Sequence, residues 1–266
     1  MSLFHSIWIA LTGLAIGSFL NVVIYRGPII WGLVEPLEGQ KTNFNLAFPR
    51  SHCPHCKTQI KAHHLIPLMG YLLIKGHCAH CHKKISPLYP MIELAALLAS
   101  LLALWVWGFS GAAFGAFILF CFLLCLAAID ARTGYLPDAL TLPLLWLGLG
   151  ANYLWSFVPL ADAVIGAVCG YGALALLAFF YRRFRGHDGL GGGDAKLLGA
   201  LGAWAGWMAL PPILMIAAIL ALVWIGFLAL RGKQISATTA LPFGPSLALA
   251  GALVFTAQKA IPDFMF

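Results

Sequence analysis

Charge is what this sequence has little of. Lys, Arg, Asp and Glu together make up 9% of its 266 residues, where a soluble domain carries about 25%. That shortage excludes an ordinary soluble globular domain. Acids are the scarcer sign, with nine Asp and Glu against 16 Lys and Arg. Gly-Lys-Ser/Thr, the end of a phosphate-binding loop, does not occur, and Gly189-x-Gly191 runs into Asp194 where a dinucleotide fingerprint needs glycine. The alternating strands and helices of a soluble methyltransferase fold are also missing.

Apolar sequence fills the space. Hydrophobic residues make up 61% of the chain and the mean hydropathy is +0.90. Runs near twenty apolar residues read as membrane spans. Eight are found, at about 6–25, 88–108, 112–129, 139–156, 162–181, 195–209, 211–230 and 242–261. The first lacks a basic start and a clear cleavage site, so it reads as a retained span. The expected fold is an all-α polytopic membrane protein of about eight transmembrane helices. Its parts are a first span (1–25), a loop domain (26–87) and a seven-helix membrane domain (88–266). With the 26–87 segment in the cytoplasm, every Lys and Arg except Lys259 falls on that side, as the positive-inside rule requires. Both termini then face away from the cytoplasm. The net charge of +7 is a topology signal, with some attraction to anionic lipid, and needs no nucleic acid to explain it.

The loop carries half of the Lys and Arg residues and all the histidines except His5 and His187. Within it stand Cys53-x2-Cys56 and Cys78-x2-Cys81, 21 residues apart. Two such pairs read as a structural zinc site in which four thiolates close a tetrahedron and leave no open position for catalysis. Disulfides are the alternative, disfavoured in a reducing compartment. A histidine among His52, His55, His77, His80 and His82 replacing one cysteine is another. Cys121, Cys125 and Cys169 lie in spans and read as packing residues.

Few acids remain. Glu35 and Glu38 belong to the loop, and Asp162 and Asp263 to the outer side. Asp138 and Asp188 read as helix caps or loop residues, and Glu93 as a first-turn carboxylate. Asp130 ends the run FCFLLCLAAID and Asp194 begins the run DAKLLGALGAW. One closes a helix entering the cytoplasm and the other opens a helix leaving it, so both lie at one membrane face. Two facing carboxylates can share a proton, one acting as base toward water and the other as acid toward a carbonyl oxygen. That is the chemistry of aspartyl peptide hydrolysis. Helix dipoles, with Lys196 near in sequence, assign the charge to Asp194 and the proton to Asp130. Gly191, Gly192 and Gly193 are expected to free the backbone there and admit a substrate strand.

GSFLNVVIYR (17–26), PRSHCPHC, GHCAHC, ISPLYPMIEL (85–94), IDARTGYLPDALTLP (129–143) and GLGGGDAKLLGALGAW (189–204) together make the chain similar to the bacterial type IV prepilin peptidases of pilus and type II secretion systems. The resemblance runs almost end to end. It implies an eight-span inner-membrane enzyme that cuts the leader from prepilins and pseudopilins at the cytoplasmic face. It also implies N-methylation of the new terminus with S-adenosylmethionine. The family's two catalytic aspartates map to Asp130 and Asp194. The methyl-donor site falls with the zinc loop and nearby span ends, where Asn21, Arg26 and Glu93 are polar candidates. The rival readings are a peptidase without methyl transfer, an ion-coupled transporter, and a scaffold. A transporter needs acids near mid-bilayer, and these stand at span ends.

Overall fold

A computed structural model describes residues 3–35, 44–185, 191–232 and 242–261. Among them the chain is helical, and a helix covers each of the eight apolar runs. These are α1 (Leu3–Ile30), α3 (Leu88–Trp107), α4 (Gly111–Thr133), α5 (Asp138–Trp155), α6 (Leu160–Arg185), α7 (Gly192–Ala205), α8 (Leu210–Leu230) and α9 (Gly244–Ala260). A five-residue helix, α2 (Met69–Leu73), lies in the loop. By length and composition five are long and apolar enough to cross a membrane: α1, α3, α4, α6, and α8 with the turn before it. The protein is therefore an all-α multi-pass membrane protein. Glu38, Asp188, Gly189 and Asp263 lie outside the described residues.

The chain divides into two compact units, 1–108 and 109–266. Helix α3 thus groups with α1 and the cysteine loop. In the first unit α1 and α3 pack antiparallel. Gly13 and Gly17 of α1 face Ser100, Ala96 and Glu93 of α3, and a Cβ on Gly17 would stand 2.8 Å from the Glu93 Cα. Such small-xxx-small spacing lets membrane helices approach until their backbones touch.

The second unit is built around α7. Nearly every residue from Ala195 to Ala205 is buried, as expected for a helix that is apolar all round. Gly202 lies against the Gly166 carbonyl of α6 with no room for a side chain. The last carbonyls of α7 have no partner within the helix, and neighbouring amides satisfy them. Asn152 Nδ2 donates to Ala203 O (2.8 Å) and Trp204 O (3.1 Å), and Gln258 Nε2 donates to Ala205 O (2.9 Å). Asn152 Oδ1 also accepts the Val158 N–H at 2.9 Å. Trp204 Nε1 donates to Leu144 O, and its ring packs with Phe157 and Phe255. Asn152→Ala is expected to cost about 1–2 kcal/mol, because it strips several buried bonds at once. Thermal unfolding in detergent reads this as a lower Tm.

Candidate active site and metal centre

Asp130 stands three residues before the end of α4. Gly134, with φ +70°, closes that helix and donates its N–H to the Asp130 carbonyl at 2.8 Å, a left-handed glycine stop. The Asp130 side chain is buried, at 5% exposure. Its Oδ2 accepts the main-chain N–H of Gly244, the first residue of α9, at 3.0 Å. Asp194 occupies the first turn of α7 and is half-buried. The two carboxylates lie within direct electrostatic reach of each other. Their helices, α4 and α7, each pack on α5 and α9.

Three local readings change. Gly191 has φ −67° and precedes α7, while Gly192 and Gly193 begin it with helical backbone, so this stretch uses no left-handed conformation. Gly193 is instead needed for contact, since a Cβ there would come within 2.7 Å of Leu136 Cβ. Lys196 does not pair with Asp194. Its Nζ meets Asp138 Oδ1 at 2.5 Å, which ties the start of α7 to the start of α5. Asp138 is the first residue of α5 and makes no capping bond; Pro137 holds the cap position. The group that sequence reasoning missed is Gly244. Its contribution is a main-chain N–H, and the only trace in the sequence is a Gly-Pro pair opening the last apolar run.

The first unit holds the four cysteines in a duplicated turn. In one copy Cys53 N bonds Thr58 O and Lys57 N bonds Cys53 O; in the other Cys78 N bonds Lys83 O and His82 N bonds Cys78 O. Bridges join His52 to Gln59 and His77 to Lys84. Lys57 and His82, each next after the second cysteine, both have positive φ, at 59° and 55°. Each turn aims two thiols at the other. Cys53 Sγ lies 3.8 Å from Cys81 Sγ, and Cys56 Sγ lies 3.9 Å from Cys78 Sγ. All four sulfurs fall within 4.8 Å of one another, arranged to hold a metal ion. An ion bound at about 2.3 Å by four thiolates sets sulfur–sulfur edges of about 3.8 Å, so the donor set fits. Among the described residues the cluster contains these four thiols and no histidine. His52 and His77 instead donate from Nδ1 to the Arg50 and Lys75 carbonyls at 3.0 and 2.7 Å.

Local hydrogen bonds prepare two of the thiols as ligands. The Thr58 hydroxyl, and then its amide, push the Cys56 thiol down to about 6. The main-chain N–H of Cys81, followed by that of His80, lowers Cys78. Elsewhere in this unit, Arg26 Nη1 donates to Asn45 O (2.9 Å) and Nη2 donates to Pro49 O (2.7 Å). Asn21 Nδ2 donates to Tyr89 O at 3.0 Å. Glu93 is the sixth residue of α3, beyond its first turn, and Oε2 accepts the Leu68 N–H at 2.8 Å. Arg26 and Glu93 thus hold loop backbone, and Asn21 holds the first turn of α3.

The model of the bacterial peptidase A24 N-terminal domain matches residues 11–107, and that of the type IV leader peptidase family matches residues 117–226. A prepilin leader peptidase/N-methyltransferase of Neisseria gonorrhoeae is 43% identical over 263 residues, covering 95% of this chain and 90% of its own. The chain belongs to the type IV leader peptidase family. A second protein of that name, from Burkholderia pseudomallei strain K96243, is 46% identical over 255 residues, or 90% of this chain and 81% of its own. A third, from Klebsiella pneumoniae, is 48% identical over 207 residues, or 78% and 88%. No solved structure matches. The first match ends with α3, at the division between the two compact units, and the second begins within α4.

Proposed function

We propose that the protein removes the leader from type IV prepilins and pseudopilins at the cytoplasmic border of the inner membrane, and then N-methylates the new terminus. The observation that supports the peptidase half is the electrostatic reach between Asp130, near the end of α4, and Asp194, in the first turn of α7. In this reading the charged member takes a proton from the attacking water. The protonated member gives its proton to the scissile carbonyl oxygen; the tetrahedral adduct then collapses as the first carboxyl passes the water proton to the departing nitrogen, the C–N bond breaks, and a hydroxyl of the adduct returns its proton to the second carboxylate. The Gly244 N–H suits Asp130 as the charged member, because a main-chain donor favours the anion. This reverses the assignment from helix dipoles, since Lys196 is occupied by Asp138. The pair titrates as one unit.

Cys53, Cys56, Cys78 and Cys81 would hold zinc, for which a closed set of four thiolates is the ordinary structural site. S-adenosylmethionine supplies the methyl group when bound. The first unit, with the metal turns and the loop held by Arg26 and Glu93, is the proposed seat of that step.

The deciding experiment incubates purified protein with a prepilin and weighs the product with and without S-adenosylmethionine. Loss of the leader, with one methyl group added only when the donor is present, supports both activities. Leader loss alone would leave a peptidase. A finer check uses Gly244→Ala. Its Cβ would stand 2.6 Å from Asp130 Oδ2, so the carboxylate must shift, and a displacement near 1 Å costs about 100-fold in rate. Cleavage is expected to fall by about that factor, with an unchanged Tm.

A further inference from the structure

The loop between α1 and α3 carries an apolar strip that neither the dyad nor the metal centre uses. It runs from Leu65 to Leu73. Met69, Leu72 and Leu73 stand at i, i+3 and i+4 on one face of α2, with Leu72 and Leu73 66% and 61% exposed. Leu65 and Ile66 extend the strip through the preceding turn. The outward aim has a cause. Gly70, on the other side of α2, is buried, and a Cβ there would collide with the His64 carbonyl. The inner face of α2 is thus spent on close backbone contact, and its large side chains can only point out.

Two further observations say what covers the strip. The Glu93 carboxylate holds the Leu68 N–H, which ties the start of α2 to the sixth residue of a membrane-crossing helix. That residue is about 8 Å along α3 from its start, so the strip is moored at the membrane border. Second, residues 39–92 contain no Asp or Glu, and exposed Lys61 and Lys75 flank the strip on either side. An apolar face edged by lysines is the pattern of a segment lying in a lipid headgroup layer, with side chains in the acyl boundary and ammonium groups on anionic lipid.

We propose that residues 65–73 dock into the interfacial layer of the protein's own bilayer, with Lys61 and Lys75 pairing with anionic headgroups. The proposal rests on the membrane fold and is independent of the reaction.

The test places a ketone-bearing amino acid at Leu72, and separately at Met69, in the full chain. Each is spin-labelled and reconstituted in nanodiscs of phosphatidylcholine with or without phosphatidylglycerol. A label at Lys83, in the second cysteine turn, serves as the aqueous control, and metal content reports folding. The labels at 69 and 72 are expected to meet dissolved oxygen more than a water-soluble nickel chelate, with the preference strongest in the anionic discs. Removing one lysine (Lys61→Gln or Lys75→Gln) should lower the docked-to-free ratio there about fivefold. Labels at 69 and 72 as nickel-accessible as the control in both lipids would overturn the proposal. So would labels that become protected only when prepilin is added, which would make the strip a substrate-docking surface.

Discussion

Leader removal is expected to fall at least about 100-fold when either Asp130 or Asp194 alone is replaced by asparagine, because each carboxylate supplies a proton transfer that the other cannot duplicate. Asparagine is the informative replacement. It keeps the volume at a buried position, and at 130 it keeps an oxygen to accept the Gly244 N–H, so a changed fold does not explain the loss. The double variant should be no worse than either single one, since groups that act as a unit are lost as a unit. Timed mass spectrometry of a prepilin substrate measures all three. Cleavage surviving in a single variant would remove the dyad, and full tolerance would favour a scaffold.

The second large effect concerns the metal. Binding of a structural zinc ion supplies about 10–16 kcal/mol of folding free energy in small metal-held domains. Removing one ligand, as in Cys53→Ser or Cys78→Ser, is expected to empty the site and unfold both turns. Trypsin should then cut faster after Lys57, Lys61 and Lys83, whose side chains are exposed but whose backbone is hydrogen-bonded in the folded loop. The two variants should behave alike, because the two turns are copies and each provides half of the ligands. Leader removal is expected to persist while methyl transfer is lost, since the aspartates belong to the other compact unit. Acid gives a milder version of the same effect. With its thiol pushed down to about 6, Cys56 remains a thiolate above that pH. Protons compete with the metal at Cys56 only below that value, but Cys81, whose thiol is pushed up to about 11, must lose its proton to the metal even at neutrality, so metal content should decline progressively as pH falls.

The sequence revealed some of these features and concealed others for physical reasons. The eight apolar runs all became helices, because burying twenty apolar residues in lipid leaves the backbone no other way to satisfy itself. Cys53, Cys56, Cys78 and Cys81 were legible because metal-ligand spacing is a local property of a tight turn. Asp130 and Asp194 stand out in the sequence because a carboxylate beside an apolar run is costly. Lys196 was assigned to Asp194 on nearness in the chain, yet it reaches across to Asp138, a pairing fixed by how α5 meets α7. Gly244 was invisible, since any residue but proline carries an N–H. Its importance comes from α9 starting beside Asp130. Glu93 does not belong to a helix's first turn: the apolar run and α3 both start at 88, and a sixth residue lies beyond one turn of 3.6 residues. Gly191, Gly192 and Gly193 suggested a flexible backbone, but the structure needs Gly193 for its small size.

The shortness of α7 has a consequence for the lipid. Its 14 residues rise about 21 Å, while the hydrocarbon core of a bilayer is about 30 Å thick. Protein encloses α7 nearly all round, so lipid need not thin to fit it, and one end of a helix this short lies recessed below the membrane surface. In the proposed mechanism hydrolysis consumes water at the aspartate end, and a recess there would bring the aqueous phase down to the carboxylates. Bilayers of longer acyl chains, which deepen the apolar layer that such a recess must cross, would then slow the enzyme without touching one of its residues.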